Sequence, residues 1–100
     1  MILYNITLNI EEDIEEDWLQ WMKKVHIPAM VDTGYFTNHR LFRLIKSGEE
    51  GVTYSAQFEA ESLSKLQQYM ATHSPRLQQE HHDKFGEKVV SFRSILEQVD

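Results

Sequence analysis

The order in which two periodicities alternate along this chain constrains its fold more than any other feature. An every-second-residue apolar pattern covers Ile2 to Ile10, and a helical pattern follows from Glu11. Two more alternating stretches flank a glycine-bounded turn, a second helical pattern begins after Ser62, and Val89 to Leu96 reads as the closing strand. A strand-helix-strand-strand-helix-strand unit is complete in itself, because its antiparallel strands form one sheet and its helices bury that sheet's apolar face. The pattern uses up the 100 residues, so one α+β domain over 1–100 is expected, long enough for a single core.

Ile2, Tyr4, Ile6, Leu8 and Ile10 alternate with Leu3, Asn5, Thr7 and Asn9, which makes the first strand half-buried. Glu11 to Asp17 is acidic, Ile14, Trp18, Met22 and Val25 form an apolar stripe, and Lys23 and Lys24 come late, so the charges oppose the helix dipole. That structural role accounts for the acidic run without a cation site. Pro28 disfavours helical geometry at Ile27, which predicts a helix end near His26 and a turn or short extra coil over Ala29 to Asp32. After Gly34 the second strand is expected over Tyr35 to Lys46. Phe36, Asn38, Arg40, Phe42 and Leu44 share one side of it, and its charges on both faces suit a sheet edge. Ser47 to Gly51 reads as the hairpin connection. In the third strand Val52, Tyr54, Ala56 and Phe58 oppose Thr53, Ser55, Gln57 and Glu59. Ser62 is the expected N-cap of a helix whose inward residues are Leu63, Leu66, Met70, His73, Leu77 and His81. Pro75 should break or kink that helix, with Ser74-Pro75 capping a second segment that stops before Gly86.

Composition excludes several classes of function. A net charge of −6 opposes nonspecific binding to nucleic acid or to an anionic membrane, and the Lys/Arg-Gly-aromatic signature of an RNA-binding sheet is absent. Without cysteine there is no disulfide, thiolate metal site or cysteine nucleophile, which fits a reducing cytoplasm. No stretch approaches the roughly 20 apolar residues of a membrane span. His81 and His82 point about 100 degrees apart on a helix, and His73 lies two turns from His81, so no metal site is expected. No phosphate loop, nucleophile elbow or cofactor motif appears, and no cofactor is expected.

A ferredoxin-like unit places strands one and three at the centre of a four-stranded antiparallel sheet, in the order 4-1-3-2. The face away from the helices then carries Asn5, Thr7, Asn9, Thr53, Ser55 and Gln57, with no charge among them. Hydrogen-bonding groups without charge are less costly to desolvate than ions, which favours a homodimer pairing these faces over an open, solvated surface. Trp18 and Trp21 read first as core aromatics and only second as a ligand-stacking pair. His26 reads first as a helix-end group and second as a general base.

The opening Met1-Ile2-Leu3-Tyr4-Asn5, Trp18 to Met22, Val25-His26-Ile27-Pro28 through Thr33-Gly34, Gly51 to Tyr54, Leu77 to His81 and Phe85-Gly86 resemble an uncharacterised bacterial family of about 100 residues. That family is known only as a domain of unknown function. More distantly, the run from His26 and Pro28 to Gly34 is similar to the dimeric α/β-barrel superfamily, which includes cofactor-free monooxygenases and haem-degrading enzymes. The resemblance implies a dimeric α/β barrel. It also implies a small hydrophobic ligand between helices and sheet, bordered by Tyr4, Trp21, His26, Tyr35, Tyr54 and His73. A haem-degrading site would further call on Asn5 or Asn9 with Trp21 and His73. The expected role is binding or interaction, with cofactor-free oxygenase or haem-degrading activity as the alternative.

Overall fold

The computed structural model describes residues 1–45, 48 and 50–100. Strands β1 (Ile2–Ile10), β2 (Asn38–Arg43), β3 (Val52–Ala60) and β4 (Val89–Glu97) form one antiparallel sheet in the order β2-β3-β1-β4, the expected ferredoxin-like arrangement. Helices α1 (Glu15–Trp21), α2 (Ile27–Asp32), α3 (Leu63–Thr72) and α4 (Ser74–Phe85) complete the chain. Every second residue of β1 from Ile2 to Ile10 is buried, and its register sets Tyr4, Ile6 and Leu8 beside Phe58, Ala56 and Tyr54 of β3. The core between sheet and helices adds Trp18, Met22, Ile27, Met30, Leu66, Tyr69 and Leu77. Each such large side chain contributes about 1.5–3 kcal/mol on burial.

The first helical segment departs from expectation at Pro28. Instead of ending near His26, the chain passes through a π turn (Met22–His26), in which Ile27 N–H donates to the Met22 carbonyl, and continues as α2 to Asp32 with Pro28 in its first turn. The wider turn accommodates a ring that would clash with the carbonyl four residues earlier in a regular helix. It also spends one extra residue before the next inward position. Val25, expected inside, is therefore exposed, while His26, Ile27 and Met30 are buried. Lys23 and Lys24 consequently lie mid-helix and not at its end.

In the second helical segment Pro75 acts as expected. Helix α3 stops at Thr72, α4 begins at Ser74 and ends before Gly86, and Ser62 Oγ accepts from Lys65 N–H at 3.2 Å. The inward line differs: Leu63 and Met70 are exposed and Tyr69 is buried. From Leu66 both three and four residues onward return to the same face. Tyr69 takes that place because its ring fills the space against Phe36 and Tyr4, with centroids 4.7 and 6.2 Å apart.

Strand β2 is shorter than the expected Tyr35 to Lys46, of which Lys46 lies outside the described residues, as do Ser47 and Glu49 of the connection. Phe36 leaves its expected line because it precedes the strand and turns into the core, and pairing begins with Thr37 N–H donating to the Glu59 carbonyl. Within β2, Asn38, Arg40 and Phe42 pair with Glu59, Gln57 and Ser55 on the face away from the helices. At the far end Gly51 has φ +79, and a Cβ there would stand 2.7 Å from the Ile10 carbonyl oxygen, so only glycine fits.

Candidate functional site

Strand parity puts Asn5, Thr7, Asn9, Thr53, Ser55 and Gln57 together on the helix-free side of the sheet, as the sequence predicts, and each is partly exposed. They also satisfy one another. Gln57 donates to Ser55, Ser55 Oγ donates to Asn5 Oδ1 at 2.6 Å, and Asn5 donates to Thr7. Asn9 donates to Thr53 and to the Glu50 carbonyl. A polar patch whose members are already paired loses little on leaving water. On either side of it lie exposed apolar residues that the sequence pattern left unnoticed. Val90, Phe92 and Leu96 point outward from β4, and Phe42 on β2 is followed by exposed Leu44. Phe42 and Leu44 with Thr7, Thr53 and Ser55 border a groove of about 260 Å³.

The opposite side of the sheet holds a different group. The π turn aims His26 inward, where its ring lies 5.0 Å from Trp21 and 5.4 Å from His81, centroid to centroid. His81 Nε2 accepts a 2.9 Å hydrogen bond from the indole N–H of fully buried Trp18, which requires a neutral His81 with its proton on Nδ1. Burial, then the neighbouring His81 and the Arg93 cation, push the His26 pKa down to about 4. Burial, then Arg93 and His82, push His81 to about 4. His26 is 8% exposed, and among the described residues its Nδ1 has no hydrogen-bond partner. Both histidines border a narrow cavity of about 20 Å³ with Gln78, Arg93 and the apolar Ile6, Leu8, Met22, Met30 and Phe58. That is room for about one water, not for a substrate.

The six candidate pocket residues do not line one space. Trp21 and His26 join His81 and Phe85. Tyr4, Tyr35 and His73 gather around Tyr69, with Tyr35 and His73 5.7 Å apart. Tyr54 stands apart: it packs on Trp18 at 4.9 Å and its hydroxyl donates to Glu15 at 2.6 Å, so that burial and the Glu15 carboxylate push its pKa up to about 12. A haem-type set is not assembled either. Asn5 and Asn9 lie on the open face, whereas Trp21 packs among the helices and His73 lies between α3 and α4. Sequence reasoning missed Arg93, which follows β4 parity onto the helix face opposite Ile6, and it gave no sign that His81 meets Trp18 and His26. A hollow of about 440 Å³, lined by other residues, is a carboxylate-rimmed depression at Glu11, Glu12, Asp13 and Glu50. Among the described residues no three His, Asp or Glu side chains are placed to share a metal.

A family model described as a domain of unknown function, DUF4286, matches residues 1–99. Among solved structures the fold is similar to an EthD family protein from Bacillus halodurans. The TM-score is 0.75 at 18% identity, over 99% of this chain and 100% of that one. It is also similar to SnoaB from Streptomyces nogalater, a cofactor-independent oxygenase, with TM-score 0.70 and 9% identity over 99% and 94%. A dimeric ferredoxin-like protein from an uncultured marine organism gives 0.69 and 13% over 99% and 95%. No curated protein matches.

Proposed function

We propose that this chain, which belongs to the DUF4286 family of unknown function, works as a cytoplasmic homodimeric binding module in which two copies press their helix-free sheet faces together to make a dimeric α/β barrel. One observation carries the reading: the centre of that face is uncharged and internally hydrogen-bonded, and exposed Phe42, Val90, Phe92 and Leu96 flank it on the two outer strands. An apolar patch rimming a self-satisfied polar centre suits association. The dimeric ferredoxin-like protein among the neighbours is consistent with it. The test is light scattering on the purified chain and on Ser55→Arg and Thr7→Lys, each of which sets like charges against each other across a two-fold axis. The dimer mass should appear for the parent chain and the monomer mass for the variants. A monomeric parent, or variants with unchanged mass, overturns the reading.

A second reading, a cofactor-free oxygenase, draws support from His26, a buried imidazole that is neutral at pH 7 and so keeps one ring nitrogen able to accept a proton. Oxygen uptake over a panel of acidic C–H aromatic ketones tests it. Uptake by the parent chain that His26→Phe abolishes supports the reading, and uptake equal in both retires it.

A further inference from the structure

Three features converge on the cavity beneath α2 and α4. First, the helix departs from regular hydrogen bonding over Met22–His26, and the departure turns His26 inward. Second, among the described residues His26 Nδ1 is buried without a partner, a placement that costs about 1–3 kcal/mol and is uncommon unless the group has work to do. Third, Arg93 borders the same cavity from the edge strand and, among the described residues, has no carboxylate partner, although the chain carries sixteen acids against ten Lys and Arg.

We propose that this cavity is the narrow resting form of a binding site for a small organic monoanion, a carboxylate or enolate with a short apolar body. The anionic oxygens pair with the Arg93 guanidinium at the mouth, and His26, with its proton on Nδ1, donates to one of them. The apolar body rests among Met22, Met30 and Phe58. The two methionines, unbranched and free to change rotamer, supply the room that the resting cavity lacks. A dianion or phosphate ester is disfavoured, because both imidazoles are neutral at pH 7 and, among the described residues, Arg93 is then the one cation on the cavity wall. The site lies on the helix-covered side of the sheet, so it neither needs the proposed dimer nor fails with it.

The experiment follows the His26 and His81 ring protons by NMR at pH 7 and constant ionic strength while sodium formate, propionate or benzoate is added, with benzamide as the neutral counterpart of benzoate. At least one carboxylate should shift the His26 signal saturably at or below about 10 mM, and benzamide should not. Arg93→Gln, an exposed position on an edge strand, should fold normally and weaken binding about tenfold or more. Arg93→Lys should recover part of that loss, since it restores charge but not the two-pronged geometry. The proposal is overturned if no carboxylate perturbs His26, if benzamide binds as well as benzoate, or if Arg93→Gln binds unchanged.

Discussion

Trp18 has a single polar atom, and its placement shows how one residue fixes another 63 positions away. Its indole N–H is sealed in the core and satisfied by His81 alone. His81→Leu, which leaves that N–H buried and unpaired, should cost about 1–3 kcal/mol beyond any change in packing, and His81→Gln, which can still accept, should cost clearly less. Urea unfolding of both variants checks the order, and equal losses would mean that the hydrogen bond contributes nothing. The same bond shapes the response to acid. His26 and His81 titrate near 4 when folded and near 6.5 when unfolded, so between these values the unfolded chain binds more protons. The stability contributed by the two neutral rings is therefore complete above about pH 6.5 and lost as pH falls toward 4. The Arg93 cation opposes protonation of both rings, and His82 opposes that of His81. Partial solvent access at His81 reduces the loss below the ~1.4 kcal/mol per pKa unit, leaving a few kcal/mol for the pair. In a His26→Leu/His81→Gln double variant the fall in unfolding free energy between pH 6.5 and 4.5 should be much shallower. A slope equal to the parent's would assign acid sensitivity to the carboxylates. None of this was legible in sequence, where His81 showed only its helical neighbours and Trp18 only its stripe.

Elements were legible where one rule acted alone. The alternation of β1 reads correctly because a strand buried on one face has no other way to place Ile2, Tyr4, Ile6, Leu8 and Ile10, and the parity of β3 follows from the same constraint. The first helical segment defeats sequence reading because two rules conflict. Pro28 forbids a regular turn behind it, while burial of Ile27 and Met30 rewards continuing the helix, and the π turn satisfies both. That account makes a testable coupling. Deleting Val25, the exposed extra residue, leaves Trp18, Met22, His26, Ile27 and Met30 at spacings that suit a regular helix, but it returns the Pro28 ring to the clash. The deletion alone should cost about 3 kcal/mol, and the same deletion with Pro28→Ala should cost less than about 1 kcal/mol. Thermal unfolding of the two single changes and the combination completes the cycle. Additive effects would separate the proline from the π turn. Tyr69 replacing Met70 has a similar origin: local spacing permits both, and only the ring of Phe36, brought in from another element, decides between them.

At the scale of the whole molecule the sequence indicated a face to be covered, through six uncharged side chains, but not the apolar borders that would hold a partner. Val90, Phe92 and Leu96 sit in a strand whose two sides look alike in sequence, because Val89, Ile95 and Leu96 give β4 apolar residues on both. Pairing with β1 is what assigns Phe92 to the side of Thr7 and so to the open face, where it is 63% exposed. In the proposed dimer that area is covered, and dissociation is linked to unfolding. The thermal midpoint should then rise with protein concentration, each tenfold increase adding about 1.4 kcal/mol of stability per dimer. Phe92→Asp removes the apolar contact and adds a charge without touching the core, so its midpoint should be lower and independent of concentration, with a monomer mass by light scattering. Salt provides a second axis. Each chain carries −6, and none of that charge lies in the Asn5, Thr7, Ser55, Gln57 centre, so repulsion between two copies acts at longer range and is screened within about 8 Å at 0.15 M. Raising salt from low to physiological strength should therefore tighten the parent dimer. A dimer weakened by salt would place ion pairs at the interface and move it to the Arg40–Glu59 side of the sheet, where the open face carries its charges.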